Sequence, residues 1–262
     1  MDAIVTAGGI PQPGEPLYEL TQGRPKALLE IAGKPMIQWV LDALSGSRAI
    51  DRVVIVSLPE DSGLVCSKPL AYVPNQGGML ENVRAGMQKA LDLNPQAHHV
   101  LTVSSDLPAI TSDMVDWMIA TVSGSDHDIY YSVITRQVME ARYPNSKRSF
   151  TRLKDVEVCG GDMNAVRAQT AATNEALWQK IIAARKNVLK QASLIGYDTL
   201  LLLVLHRLDM QEAEKIVSER LDISGKIILC PFAEVGMDVD KPWQLELLRE
   251  DMASRAVAAQ RL

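Results

Sequence analysis

The sequence predicts an α/β protein with a three-layer α/β/α sandwich, in which a mostly parallel, Rossmann-like sheet lies between helices. Short apolar, β-branched runs alternate with stretches of helical spacing through the first half of the chain. Clusters of glycine and proline separate these stretches. Several helical patterns then follow one another before a last strand-like run. We therefore expect a single domain, residues 1–262, with a helical insertion at about 170–222.

Each predicted element has its own hydrophobic pattern. Near-continuous apolar runs indicate strands that are buried on both faces, and apolar residues three or four positions apart indicate helices. The predicted strands are residues 2–6, 52–58, 70–73, 99–104, 129–134 and 226–230. The predicted helices are residues 36–44, 79–91, 111–122, 136–142, 174–191, 196–208, 209–221 and 242–252. Thr111 is the expected N-cap of its helix.

Composition excludes some classes of function. The formal net charge of −5 argues against a non-specific nucleic-acid binder, which needs a basic surface. The most apolar run, residues 200–205, is too short to span a bilayer, and the chain opens on a core-type strand rather than a secretion signal. Three scattered cysteines are typical of a reducing compartment. We expect a cytoplasmic enzyme without a membrane partner, and its oligomeric state is left open.

The first forty residues have an arrangement that can hold a polyphosphate. Ala7, Gly8 and Gly9 follow the first strand directly, and a loop rich in proline and glycine then leads to Lys26. Glycines let backbone N–H groups approach phosphate oxygens closely, and a lysine adds a compact positive charge. Taken alone, a Gly-Gly turn can simply reverse the chain and Lys26 can be a solvated lysine.

Acidic residues stand at two places where a metal ion could bind. Asp106 follows the predicted strand 99–104, and ligands bind outside the carboxyl ends of strands in open α/β sheets. Asp238 and Asp240 are two positions apart, so on an extended segment they point the same way. One interpretation is that Asp106 and Asp240 share one Mg²⁺, with Asp238 assisting. The other is that Asp106 caps a turn and Asp240 caps the last helix.

Two further groups of polar residues have alternative interpretations. Lys147, Arg148 and Arg152 form a basic cluster that suits an anionic second substrate, although a solvated loop explains it equally well. His98 and His99 are adjacent, so a strand is expected to point them to opposite faces, which makes them a poor metal pair.

Several motifs resemble those of the MobA-like nucleotidyltransferases, which have a nucleotide-diphospho-sugar transferase fold. The resemblance is carried by Gly8-Gly9, by Pro25-Lys26-x-Leu28, by Gly33-Lys34-Pro35-Met36, by Ser105-Asp106-Leu107-Pro108, and by a D-x-D-x-P motif at residues 238–242. It implies that Asp106, Asp240 and Asp238 hold the metal. It also implies that the residues at the nucleotide are Ala7, Gly8, Gly9, Lys26, Gly78 and Asn82, with Lys26 at the triphosphate.

The function implied by this resemblance is Mg²⁺-dependent transfer of a nucleoside monophosphate from CTP or GTP. The acceptor would be a small phosphorylated or hydroxylated molecule, and pyrophosphate would leave. Lys26 and Asp106 are the predicted catalytic residues, and Lys147, Arg148 and Arg152 are the predicted acceptor-binding residues. A nucleotide-sugar glycosyltransferase and a non-catalytic nucleotide sensor remain the alternatives.

The chain departs from the family pattern at two points. The usual first loop carries an arginine soon after the glycines, whereas here the first arginine is Arg24 and the loop, residues 10–24, is longer and holds three prolines. Relatives also often carry asparagine where this chain has Asp162, just after Gly160-Gly161.

Overall fold

Nine strands form one mixed sheet in the computed structural model, which describes residues 1–174 and 206–259. A separate two-stranded hairpin, β2 and β3, lies before the first long helix. The strands are β1 (Asp2–Thr6), β2 (Glu30–Ile31), β3 (Lys34–Pro35), β4 (Arg52–Val56), β5 (Leu70–Val73), β6 (His99–Ser104), β7 (Ile129–Thr135), β8 (Thr151–Arg152), β9 (Glu157–Gly160), β10 (Met163–Arg167) and β11 (Gly225–Leu229).

The sheet has a parallel half and a mixed half. In the first, β5, β4, β1 and β6 lie side by side and all run parallel. In the second, β10 lies between β6 and β7 and is antiparallel to both. β7 also pairs with β9, which is antiparallel to it, and with β11, which is parallel to it. The carboxyl ends of β1, β4 and β6 therefore lie at one edge of the sheet, where a ligand site is expected.

Helices cover both faces of the sheet. The α-helices of the described residues are α1 (Tyr18–Thr21), α2 (Met36–Gly46), α3 (Met79–Leu93), α4 (Ser112–Val122), α5 (Arg136–Arg142), α6 (Ala168–Thr173), α7 (Met210–Leu221) and α8 (Pro242–Ala259). Side chains of α2, α4, α5 and α8 enter one core, and those of α3 and α6 enter the other. This arrangement is the predicted three-layer sandwich.

Strict alternation along β1 and β4 supplies both cores. Ala3 and Val5 of β1 join the core under α2 and α4, whereas Ile4, between them, packs under α3. All three residues are fully buried. Since burying one Ile or Val side chain contributes about 1.5–3 kcal/mol, these central strands hold the site's supporting loops firmly.

The predicted strands and most of the predicted helices within the described residues are confirmed to within a few residues. Five further strands were not predicted: β2, β3 and β8 have only two residues each, and Gly160-Gly161 interrupts the alternation that would have revealed β9 and β10. Thr111 occupies the N-cap of α4 but its side chain makes no capping hydrogen bond. The predicted helix 174–191 and most of the predicted helix 196–208 lie outside the described residues.

Candidate active site

A cavity of about 310 Å³ opens at the carboxyl ends of β1 and β6. We call it the glycine recess, because glycines from two separate turns form much of its wall. Its lining residues include Gly8, Gly9, Lys26, Asn75, Gly77, Gly78, Met79, Asn82, Ser104 and Ser105. The recess thus brings together the glycines, Lys26 and Asn82 that the sequence predicts at a nucleotide.

Gly8 and Gly9 allow two side chains to approach the first turn closely. A Cβ added to Gly8 would lie 2.7 Å from Nδ2 of Asn82, and one added to Gly9 would lie 2.9 Å from Cε of Lys26. The backbone N–H of Lys26 also donates to the Gly9 carbonyl at 2.8 Å. A larger residue at either position would therefore displace a side chain of the recess. Ala7, the third predicted residue of this turn, is buried and donates its N–H to Val56 O.

Lys26 joins the recess to a cluster of acids. Its ammonium lies 2.5 Å from Oδ2 of Asp106 and 2.6 Å from Oδ1 of Asp240, and it donates to the Val239 carbonyl at 3.3 Å. Burial alone would lower the pKa of Lys26, but the two carboxylates raise it above its ordinary value. Lys26 is therefore a permanently charged bridge between residues that are far apart in sequence.

Asp106, Asp238 and Asp240, which we call the acidic cluster, converge on one point. One carboxylate oxygen of each lies within 4.8 Å of the others. Asp106 is nearly fully buried, whereas the Asp240 side chain is 60% exposed, so the cluster is open on one side. The segment that carries Asp238 and Asp240 is tied to the end of β6, because Val239 N–H donates to the Asp106 carbonyl at 3.2 Å.

The hydrogen bonds of Asp106 and Asp240 bear on the capping interpretation, while the metal interpretation stays a prediction. The Asp106 carboxylate accepts from the Ser104 hydroxyl and pairs with Lys26. The Asp240 carboxylate also pairs with Lys26, and the Asp240 backbone N–H donates to the side-chain oxygen of Gln244, in helix α8, at 2.9 Å. Neither carboxylate is used as a simple cap.

Negative charge is in excess around this point. Arg148 pairs with Asp238, and a further carboxylate, Asp162, interacts electrostatically with all three acids of the cluster. Burial raises the pKa of Asp162 to about 7, with Asp238 and Asp106 adding to the effect. Burial also raises the pKa of Asp238 to about 6, against the opposing influence of Arg148. Within residues 1–174 and 206–259, Lys26 and Arg148 therefore face four carboxylates, an arrangement that favours a further positive charge.

The donor set of the acidic cluster fits Mg²⁺. Carboxylate oxygens are the protein ligands that this ion prefers, and it keeps other positions for water and phosphate oxygens. The three aspartates would hold the ion between them, since one carboxylate oxygen of each lies within 4.8 Å of the others. The exposed side of Asp240 leaves an approach for the remaining ligands.

The basic cluster predicted for an anionic acceptor is divided in the structure. Arg148 points inward, and its guanidinium contacts Asp238. Lys147 is exposed, with its ammonium 5.7 Å from the centre of the Trp243 ring, and Arg152 is exposed on β8. The structure therefore brings Arg148 to the acidic cluster, while Lys147 and Arg152 stay at the surface and their acceptor role stays a prediction.

Sequence reasoning missed three polar residues of the site. The Asn75 side chain accepts from Gly77 N–H and from Asn82 Nδ2, which fixes the second glycine turn. Ser104 orients Asp106, and the Asp162 backbone joins Ser104 to Val235 by two hydrogen bonds of 2.9 Å. The Asn-x-Gly spacing of a turn and the last position of strand 99–104 were the available signals for the first two.

The expectation that His98 and His99 point to opposite faces is wrong, whereas the expectation that they are a poor metal pair stays a prediction. The His98 and His99 rings are in edge contact with centroids 4.6 Å apart, and their Nδ1 atoms are 3.0 Å apart. The reason is that β6 begins at His99, so His98 is not held in the alternation of a strand. With Asp126 these residues form a second group of ligand atoms within 4.8 Å, which we call the histidine cluster.

Comparison with known proteins gives a family and a fold. Residues 4–172 match the model of the MobA-like NTP transferase domain. The solved structure of a hypothetical transferase from Thermus thermophilus is 31% identical, with a TM-score of 0.79 over 93% of this chain and 98% of that one. The 4-diphosphocytidyl-2C-methyl-D-erythritol synthase of Anaerococcus prevotii shares the fold, with a TM-score of 0.59, 13% identity and coverage of 96% and 95% of the two chains.

A curated relative matches over a shorter stretch. The 2-C-methyl-D-erythritol 4-phosphate cytidylyltransferase of Streptomyces coelicolor is 33% identical over 127 residues, which are 45% of this chain and 46% of that enzyme. The match thus spans less than half of the relative's length.

Among the residues that the structure describes, no helix combines the length and the apolar character needed to cross a membrane.

Proposed function

Because the chain belongs to the MobA-like NTP transferase family of nucleotidyltransferases, we propose that it transfers a nucleoside monophosphate from CTP or GTP to a small anionic acceptor. The proposal takes the glycine recess as the nucleotide site and the acidic cluster as a Mg²⁺ site. A curated relative that is named a cytidylyltransferase supports CTP as the first nucleotide to test.

The proposed reaction is an in-line displacement at the α-phosphorus. An oxygen of the acceptor, from a phosphate or a hydroxyl, forms a bond to this phosphorus. The bond from the phosphorus to the bridging oxygen breaks, and its electron pair leaves with pyrophosphate. A phosphate acceptor is already ionised at neutral pH, so it needs no general base. Positioning and charge neutralisation then supply most of the catalysis.

Asp106, Asp240 and Asp238 would hold the metal ion in this reaction. When bound, Mg²⁺ supplies charge neutralisation at the phosphate oxygens. Lys26 stands between the recess and the acidic cluster, 2.5 Å from Asp106. Its ammonium is therefore in position to turn from the carboxylates to the phosphates of a bound nucleotide and to stabilise the charge that develops on pyrophosphate.

Arg148 is the residue that we assign to the acceptor. It is largely buried, and its partner Asp238 belongs to the acidic cluster. A guanidinium binds a phosphate or carboxylate in a bidentate manner, and once Asp238 turns to the metal ion this guanidinium is free to do so. Lys147 and Arg152 would add a weaker, long-range attraction from the surface.

One observation carries the proposal: acids from the middle and from the end of the chain meet Lys26 beside a glycine-lined recess. The test is pyrophosphate release in the presence of Mg²⁺, with each of the four NTPs and a panel of sugar phosphates, polyol phosphates and phosphorylated acids. For the pair that reacts, we expect Asp106→Asn combined with Asp240→Asn to lower the rate by about 1,000-fold or more, since several kcal/mol of charge stabilisation are lost.

The matched control is His98→Asn combined with Asp126→Asn, which removes two members of the histidine cluster and should leave the rate within about twofold of wild type. Pyrophosphate release that survives the change at Asp106 and Asp240 would refute the metal assignment. Transfer of sugar from a nucleotide sugar, without pyrophosphate release, would favour a glycosyltransferase instead. Tight NTP binding without turnover of any acceptor would favour a nucleotide sensor.

A further inference from the structure

A second cavity, of about 420 Å³, adjoins the glycine recess. We call it the proline-loop recess, because the lengthened first loop forms one of its walls through Ile10, Pro11, Glu15, Pro16 and Leu17. Lys26, Asp240 and Lys241 line the cavity from outside this loop, and we call these three residues its opposite wall. Gly9 and Lys26 line both cavities, so a molecule that fills the glycine recess and extends past Lys26 enters the proline-loop recess.

The first loop, residues 10–24, is fully described by the structure, and none of its residues that line the proline-loop recess is a cation. Arg24, its one arginine, is exposed, does not line either cavity and donates its Nε to the Thr21 carbonyl at 3.3 Å. The charged loop residue that does line the cavity is Glu15, whose carboxylate accepts from Gln12 N–H at 2.7 Å. A polyanion in this cavity must therefore find its positive partners on the opposite wall.

Lys241 is the cation of that wall that is not already paired with an acid in the described part of the chain. Its backbone carbonyl accepts from Gln244 N–H at 3.0 Å and from Leu245 N–H at 3.2 Å, which anchors the residue to the first turn of α8. The residue is exposed, and it follows Asp240 of the acidic cluster directly. A fixed backbone with a free ammonium suits a contact with a phosphate oxygen.

We propose that Lys241 contacts the β- and γ-phosphates of the bound NTP and stabilises pyrophosphate as it departs. The inference rests on the proposed nucleotidyltransferase function and assigns a residue to the leaving-group side of the same site. As the bond from the α-phosphorus to the bridging oxygen breaks, negative charge grows on pyrophosphate, and Lys26 and Lys241 face it from one wall. The Glu15 carboxylate lines the same cavity and opposes this charge, so the two lysines must outweigh it.

The test compares ligands that differ in their number of phosphates. Binding of CTP, CDP, CMP and inorganic pyrophosphate, and of the guanosine series, is measured by calorimetry with Mg²⁺ for wild type and Lys241→Gln. We expect affinity for the NTP and for pyrophosphate to fall about 5- to 30-fold, because one charge-assisted contact is lost, while affinity for the NMP stays within about twofold. Lys241→Arg should restore most of the loss.

The matched control is Lys154→Gln, an exposed lysine on the turn between β8 and β9, which should leave all affinities unchanged. An NTP affinity of Lys241→Gln equal to that of wild type, or an equal loss for NTP and NMP, would overturn the assignment of Lys241 while leaving the proposed function intact. If wild type binds neither NTP nor pyrophosphate, both the assignment and the proposed function fail.

Discussion

The two ends of strand β6 each gather three side chains that could ligate a metal, yet the two groups differ in their charge. At the carboxyl end lies the acidic cluster, and at the amino end lies the histidine cluster. Each has its ligand atoms within 4.8 Å of one another, and each adjoins a cavity, of about 310 Å³ and about 410 Å³ respectively. Proximity and space are therefore the same at both ends.

At the amino end the polar groups satisfy one another. Arg167 approaches Nε2 of His98 at 3.0 Å, the two Nδ1 atoms of the histidines are 3.0 Å apart, and Nε2 of His99 lies 2.7 Å from the His127 carbonyl. Burial lowers the pKa of His99, which favours the neutral ring. This chain of hydrogen bonds ties both rings to Arg167 and to the His127 carbonyl, so a metal ion would have to break it.

At the carboxyl end, by contrast, the charges do not balance. Lys26 and Arg148 face the acidic cluster and Asp162, and the pKa values of Asp162 and Asp238 are both raised. A divalent cation here would replace Lys26 and Arg148 at the carboxylates and would lessen the repulsion among the acids. Surplus negative charge, more than the distance between ligand atoms, therefore distinguishes the proposed metal site at the acidic cluster from the histidine cluster.

The largest expected difference between the two ends of β6 is in kcat, after substitution of the cation that bridges two acids at each end. Lys26 joins Asp106 to Asp240, and Arg167 joins Asp126 to Asp128 at the other end. Lys26→Met should lower kcat by about 100- to 1,000-fold, since it removes a donor that stabilises developing charge. Arg167→Met should lower the melting temperature but leave kcat within about twofold. Steady-state kinetics of both variants with the best substrate pair would show this, and an equal loss in both would break the comparison.

A smaller effect concerns stability and pH. The pKa of Asp162 is about 7 in the folded chain and about 4 in the unfolded one, so the native state retains a proton that the unfolded state has lost. Stability should therefore fall as pH rises from about 4 to about 7, and the full cost is present above pH 7. Asp238 adds a slope of the same sign up to pH about 6.

Asp162→Asn should remove most of this slope without Mg²⁺. At pH 8 we expect the variant to be about 1–2 kcal/mol more stable than wild type, and to melt about 2–8 °C higher. At pH 4 the two should be nearly equal. Thermal melts across this range measure the difference, with Asp155→Asn, at an exposed acid of the same stretch, as the control. A variant that is equally stabilised at pH 4 and pH 8 would rule out the electrostatic explanation.

The central part of the site was predictable from sequence because it depends on strand topology. A residue directly after a parallel strand lies at the carboxyl edge of the sheet, and this rule brought Asp106 toward the glycine turn. Asp238 and Asp240 were assigned to the same site because of the D-x-D-x-P motif, and hydrophobic periodicity gave no indication of it. The structure adds the tie between Val239 N–H and the Asp106 carbonyl, which no local pattern encodes.

Other features depend on local geometry that sequence patterns do not specify. Lys147 has a φ of +46°, and this left-handed residue turns the chain so that Arg148 points inward while Lys147 stays in solvent. His98 lies one residue before the start of β6, so the side-chain alternation of the strand does not apply to it. The role proposed for Lys241 depends on the cavity that this residue lines together with the proline-rich loop, which no sequence pattern specifies.

Metal binding tests the central claim most directly. Mn²⁺ can replace Mg²⁺ among oxygen ligands and is followed by electron paramagnetic resonance, so its binding can be titrated in wild type and in two double variants. Asp106→Asn with Asp240→Asn should weaken Mn²⁺ binding by about 100-fold, whereas His98→Asn with Asp126→Asn should leave it within about twofold. Mn²⁺ binding that persists without the two aspartates, or that is lost with His98 and Asp126, would contradict the account.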